Sequence, residues 1–154
     1  MDTSSFFSYS TAAAERTPPG TDIGLLPRAT DEDWAALLAA TETLRFRPGD
    51  VVLRAGEPDR ALYLLLDGRL EIDGADTTVS APAAVGVAAF LDDLPRALTV
   101  RAGTHGELAR MSWDAYEALS ARDARLGRTI LLDLARGLAA RLRAAGAGLP
   151  GWTG

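Results

Sequence analysis

Gly86 and Arg96 stand out first, because their types and spacing suit the binding of a phosphate. The stretch from Val85 to Ala102 reads V-G-V-A-A-F-L-D-D-L-P-R-A-L-T-V-R-A. Gly86 has no Cβ, so a backbone N–H beside it can approach a ligand closely. The Ala-Ala-Phe-Leu run that follows predicts a short helical turn, whose first N–H groups and partial positive charge favour an anion. Arg96 lies ten residues further on, and a guanidinium clamps a phosphate through two parallel hydrogen bonds. Val87, Ala88 and Ala97 adjoin these two and complete the local candidate set. A second reading of Arg96 remains open, a surface ion pair with Asp92 or Asp93.

The elements that must position this stretch are legible on both sides of it. Thr30 to Thr41 predicts a helix, with Thr30 as cap and Asp33 at the capping-box position. Trp34, Leu37, Leu38 and Thr41 share one of its faces. Short strands follow at Thr43–Phe46, Val51–Arg54, Ala61–Leu66, Arg69–Ile72 and Thr77–Ser80, then at Ala97–Arg101 and Glu107–Ser112. Arg47-Pro48-Gly49-Asp50 fits a type II turn. Asp67-Gly68 predicts a hairpin that pairs Arg69–Ile72 back onto Ala61–Leu66. A last hairpin is expected across Gly103-Thr104-His105-Gly106. Seven or eight short strands at this spacing mean a mainly β fold, a barrel or double-sheet jelly roll. The pattern then turns helical from Ser112. A second capping box at Ser120-Ala121-Arg122-Asp123 predicts a long helix to Ala145, lined by Leu126, Ile130, Leu131, Leu134, Leu138 and Leu142. Gly127 and Gly137 weaken that helix and are expected where packing is close.

Composition narrows the function. The chain has 154 residues, enough for one domain with a core, and 47% apolar content is ordinary for a globular protein. Its net charge of −5 argues against nucleic acid as the main partner. It contains no cysteine, and His105 is the one histidine, so no metal site, disulfide or enzymatic constellation is expected. No apolar run is long enough to span a membrane, and a cytoplasmic location is expected. Residues 1–28 and 147–154 read as tails around a domain spanning 29–146, with a barrel at about 43–112 and C-terminal helices at about 113–145. Phe6, Phe7, Tyr9 and Trp152 are candidate docking anchors in those tails, since aromatic side chains dominate binding hot spots.

The stretch resembles the phosphate-binding cassette of the cyclic nucleotide-binding domain, as found in catabolite activators and protein kinase A regulatory subunits. Gly86, Ala89, Leu91, Pro95, Arg96, Thr99, Val100 and Ala102 match the cassette pattern in order and spacing. The likeness extends to Leu44–Val52, to the Gly56-Glu57-Pro58-Asp59 turn, and to Tyr63-x-Leu65-x-x-Gly68-x-Leu70, and covers about residues 30 to 145. It implies a β-roll with a helix before it and a long helix after it. Two departures bear on function. The family's acid that holds the ribose 2′-hydroxyl is Val87 here, and the small residue that lies against the phosphate is Leu98. Thr129 on the long helix is a further candidate, able to hydrogen-bond a purine, although a helical Thr is more often solvated or bonded to its own backbone. The family's transcription factors continue into a helix-turn-helix domain; the chain ends at Gly154, so none is expected.

Two functions therefore stand side by side. One is a non-enzymatic module with a degenerate ligand pocket, serving as an interaction, regulatory or scaffold subunit. Its protein partner, or a second copy of itself, would meet the long helix and the aromatic tails. The other is a free-standing receptor for cAMP or cGMP that signals through its C-terminal helix. No other cofactor is expected.

Overall fold

The structure, a computed structural model, describes Leu26 and residues 29–146. Helix α1 (Asp31–Ala39) opens it, and the predicted capping box forms: Thr30 accepts from the Asp33 backbone while the Asp33 carboxylate accepts from the Thr30 N–H. Eight strands follow among the described residues: β1 (Glu42–Phe46), β2 (Val51–Leu53), β3 (Ala61–Asp67), β4 (Arg69–Ile72), β5 (Thr78–Ser80), β6 (Ala83–Val85), β7 (Val100–Ala102) and β8 (Gly106–Ser112). Helix α2 (Val87–Asp92) lies between β6 and β7, and helices α3 (Trp113–Arg122) and α4 (Ala124–Gly146) close the described chain.

The strands make two antiparallel four-stranded sheets, in the orders β1-β8-β3-β6 and β2-β7-β4-β5. This double-sheet arrangement agrees with the expected β-roll and corrects two predicted hairpins. β3 pairs with β6 and β8, while β4 pairs with β5 and β7. The Asp67-Gly68 turn thus carries the chain from one sheet to the other. Gly68 has φ +97°, and a Cβ there would lie 2.6 Å from the His105 carbonyl oxygen, because the Gly103–Gly106 turn crosses beside it. That second turn also changes sheets, since β7 belongs with β2 and β4, and β8 with β1 and β3. A tight turn is legible in residues, but which neighbour a strand pairs with is decided by burial on both its faces.

β3 shows why. Its side chains alternate between two hydrophobic clusters: Ala61, Tyr63 and Leu65 enter the barrel with Leu70, Val85, Val100 and Leu108, whereas Leu62, Leu64 and Leu66 face the helices with Trp34, Phe90, Leu126 and Ile130. A strand buried on both faces reads as the continuous apolar run seen in the sequence, and it needs a neighbour on each edge.

The helices are corrected in detail. Ser120 lies inside α3 and does not cap α4. The break falls at Asp123, whose backbone leaves the helical region and whose Oδ1 accepts from the Leu126 N–H at 3.0 Å. Gly127 is required by close packing, because a Cβ would come within 2.2 Å of the Ser120 hydroxyl. Leu126, Ile130 and Leu134 are buried as expected, but Leu142 is 53% exposed. It lies eight residues past Leu134, over which a helix rotates by about 80° off the buried face. Among the described residues no helix is long and apolar enough to cross a membrane, and no group of three His, Cys, Asp or Glu side chains could hold a metal. Phe6, Phe7, Tyr9 and Trp152 lie outside the described residues.

Candidate ligand-binding site

Where β6 gives way to α2, Gly86 adopts φ +75° and forms the N-cap. The chain turns there into a helix of six residues, Val87–Asp92. A Cβ on Gly86 would sit 2.3 Å from Nη1 of Arg96, so this position needs glycine both for its backbone and for the guanidinium packed over it.

Arg96 is the most buried charge at the site, its side chain only 3% exposed. Nη1 donates to the Gly86 carbonyl at 2.9 Å, and Nη2 donates to the Ala61 carbonyl at 2.9 Å and to Asp59 Oδ2 at 3.1 Å. The alternative pairing with Asp92 or Asp93 is therefore replaced by Asp59, which arrives from the turn before β3; Asp92 instead accepts from the Leu94 N–H. Its partner comes from 37 residues back, so sequence proximity is no guide here. Nε of Arg96 is buried and has no hydrogen-bond partner among the described residues.

Asp59 is the hub of the site. Besides Arg96 it receives the Tyr63 hydroxyl on Oδ2 at 2.6 Å and Arg110 Nη2 on Oδ1 at 2.8 Å, and Arg110 Nε also donates to the Tyr63 oxygen. Burial raises the Asp59 carboxyl, but the hydrogen bonds from Tyr63, Arg110 and Arg96 outweigh it and hold the group below its ordinary range. Burial and the neighbouring carboxylate push the Tyr63 hydroxyl up, and the bond to Asp59 raises Arg110. One carboxylate thus faces two guanidiniums, and the cluster keeps a net positive charge beside the pocket.

Gly86, Val87, Ala88, Arg96 and Ala97 all line one cavity of about 190 Å³, together with Leu53, Ile72, Val79, Leu98 and Val100. The structure therefore brings the five cassette candidates together. Val87 also packs into the helix-side core and is only 4% exposed, which is the role an apolar residue takes at this place. Leu98 lines the cavity while 53% exposed, so it sits at the rim. Thr129 is not among the residues lining this cavity. Its hydroxyl donates to the Arg125 carbonyl one turn back, the bland alternative for a helical Thr. What α4 does send to the cavity is Leu138 and Arg141. The sequence held a signal for this pair: continuing the buried row from Leu134 by four and seven residues reaches them.

A second arginine ties the cassette to the helices. Arg60 Nε donates to the Phe90 carbonyl at 3.0 Å and Nη2 to the Leu91 carbonyl at 3.4 Å, at the C-terminal end of α2. Its guanidinium lies 3.6 Å from the centroid of the Trp113 ring, which packs edge-on with Phe90 and next to Tyr116. Asp59 is read from the sequence only as part of the Gly56-Glu57-Pro58-Asp59 turn that matches the family, and Arg60 is not singled out at all.

Comparison with known proteins agrees with this architecture. A cyclic nucleotide-binding domain from Methylobacillus flagellatus KT superposes with a TM-score of 0.76 at 22% identity, over 99% of this chain and 85% of that one. The catabolite activator protein of Thermus thermophilus gives 0.70 at 23% identity, over 80% of this chain and 60% of that one. In sequence, the cAMP-dependent protein kinase regulatory subunit of Emericella nidulans is 31% identical over 103 residues, 64% of this chain. The matched region spans about a quarter of that relative's length. Residues 43–123, more than half of the chain, match the model of the cyclic nucleotide-binding domain, and the chain belongs to that family.

Proposed function

We propose that the chain is a non-catalytic regulatory module whose barrel pocket receives a phosphate-bearing ligand of the cyclic nucleotide class on Arg96, without the ribose contact that an acid at position 87 would give. The observation that carries this reading is Nε of Arg96. Two nitrogens of the guanidinium are committed to Gly86, Ala61 and Asp59, and the third is buried with no partner among the described residues, on a side chain that lines the cavity. A buried donor left unpaired costs about 1–3 kcal/mol, more when charged, and a phosphate oxygen relieves that cost. The kinship with cAMP-dependent regulatory subunits supports the ligand class.

The competing reading is a degenerate pocket on a scaffold or interaction subunit, which would meet its partner or a second copy through α4 and the aromatic tails. One observation favours it: the cavity of about 190 Å³ falls short of the ~300–1,000 Å³ usual for ligand pockets, and its walls are mostly apolar.

Calorimetric titration with cAMP and cGMP separates the two. The receptor reading expects measurable binding by the natural chain and its loss in Arg96→Lys, which keeps the charge but not the fork. It also expects binding tightened by about 10–100-fold in Val87→Glu, which restores one hydrogen bond to a charged group. Because Val87 is packed in the core, circular dichroism of each variant accompanies the titration. No heat with either nucleotide, in the natural chain and in a folded Val87→Glu alike, establishes the scaffold reading instead.

A further inference from the structure

The long helix carries a second apolar stripe, unrelated to the pocket. Its buried row is Leu126, Ile130 and Leu134. Rotated away from that row lie Leu131, Leu132, Ala135, Ala139 and Leu142, of which Leu132 is 45% exposed. Between α3 and α4, Leu131, Leu132 and Ala135 of this stripe line an open groove of about 550 Å³ together with Tyr116, Ser120 and Gly127. Apart from Arg128 and Tyr116, the side chains there are small or aliphatic, so an incoming helix can come close.

The helix that carries the stripe is positively charged as a whole. α4 holds five arginines against one aspartate, a net of +4, in a protein whose total is −5. Arg125 is committed to Asp33 and Arg136 to Asp133, while Arg128, which lines the groove, and Arg143 make no ion pair among the described residues. Two copies meeting along this stripe would bring both sets of arginines together. A helix with acids flanking its leucines would cover the apolar residues and pair the arginines at once.

We propose that the α3–α4 groove docks an acidic amphipathic helix of a partner protein, with its apolar face on Leu131, Leu132 and Ala135 and an acidic residue against Arg128. This surface is separate from the nucleotide pocket, so the proposal stands or falls independently of the ligand reading.

The probe is a dye-labelled synthetic peptide with leucines at helical spacing flanked by glutamates, titrated with the protein in fluorescence anisotropy. A control peptide carries lysine in place of every glutamate. The acidic peptide is expected to bind at least about tenfold more tightly than the control, the equivalent of one well-placed ion pair, and to weaken as salt is raised. Leu132→Glu and Arg128→Glu, both at exposed positions, should each reduce binding about tenfold or more while leaving nucleotide titration unchanged. Equal binding of the two peptides, or none, overturns the proposal. So does a sedimentation profile in which the natural chain is a dimer and Leu132→Glu a monomer, which gives the face to a second copy. Binding of the chain to phosphatidylglycerol vesicles that Leu132→Glu abolishes gives it to a membrane surface and likewise overturns the proposal.

Discussion

The two faces of β3 serve opposite ends. On the helix side, Leu62, Leu64 and Leu66 meet Trp34, Leu37, Ile130 and Leu134, and the space left there is a cavity of only about 10 Å³. Inside the barrel, Tyr63 and Leu65 share a cluster with Leu53, Val79 and Val100, and beside it lies the cavity of about 190 Å³ with Arg96 on its wall. The first region is filled, as interiors optimised for stability are. The second keeps space and a charged donor that the described residues do not use up. One strand therefore anchors a packed core on one face and borders an open cavity on the other, and its alternation keeps the two apart.

Truncations test that contrast most strongly. Leu64→Ala removes a side chain from the filled side, where neighbours cannot collapse far, and should cost about 3–5 kcal/mol. Leu53→Ala removes the same atoms next to space that is already empty, so less new void is created and the loss should stay near the low end, about 2 kcal/mol. Urea denaturation of both variants, at unchanged slope, gives the two values. Equal losses would mean that the barrel interior is as tightly packed as the helix side. The pocket would then be an ordinary packing gap with no claim on a ligand.

How much of this could be read beforehand follows the same division. Local signals were legible: the Thr30 cap, the turn at Gly49, the cassette glycine and the burial of Leu126, Ile130 and Leu134 each depend on residues within a few positions of one another. The gathering of Gly86, Val87, Ala88, Arg96 and Ala97 at one cavity is local in the same sense. Strand partners were not legible, because Asp67-Gly68 makes an equally good turn whether the chain returns to its own strand or crosses to the other sheet. Nor was Asp59 as the partner of Arg96 and Arg110, contacts that span 37 and 51 residues. Burial of a guanidinium demands a carboxylate or carbonyls nearby, but it does not say from which part of the chain they come. The hydroxyl of Thr129 donates to the Arg125 carbonyl one turn back, a contact that any threonine inside a helix can make.

The smaller effect lies in the charged cluster, and its pH dependence identifies it. Asp59 is held below its ordinary value in the folded state, so its contribution is fully present above the unfolded carboxylate value of about 3.9 and is lost as pH falls through the lower folded value. Asp59→Asn removes the charge while keeping the shape. It leaves Arg96 and Arg110 with a neutral acceptor and should cost about 1–3 kcal/mol at neutral pH, discounted toward the lower end because Arg110 is partly exposed. Asp33 is also depressed: burial raises it, but its bonds from Arg125 and Thr30 prevail, and it titrates in both proteins. The difference between natural chain and variant therefore isolates Asp59. Denaturation midpoints measured from pH 7 downward should show the gap constant to about pH 5 and closing at lower pH. A gap that stays constant to the acid limit would mean that the carboxylate's charge contributes nothing beyond its hydrogen-bonding shape. The barrel side would then be held as the helix side is, by packing, and Arg96 would be no more than a buried cross-brace between Gly86 and Ala61.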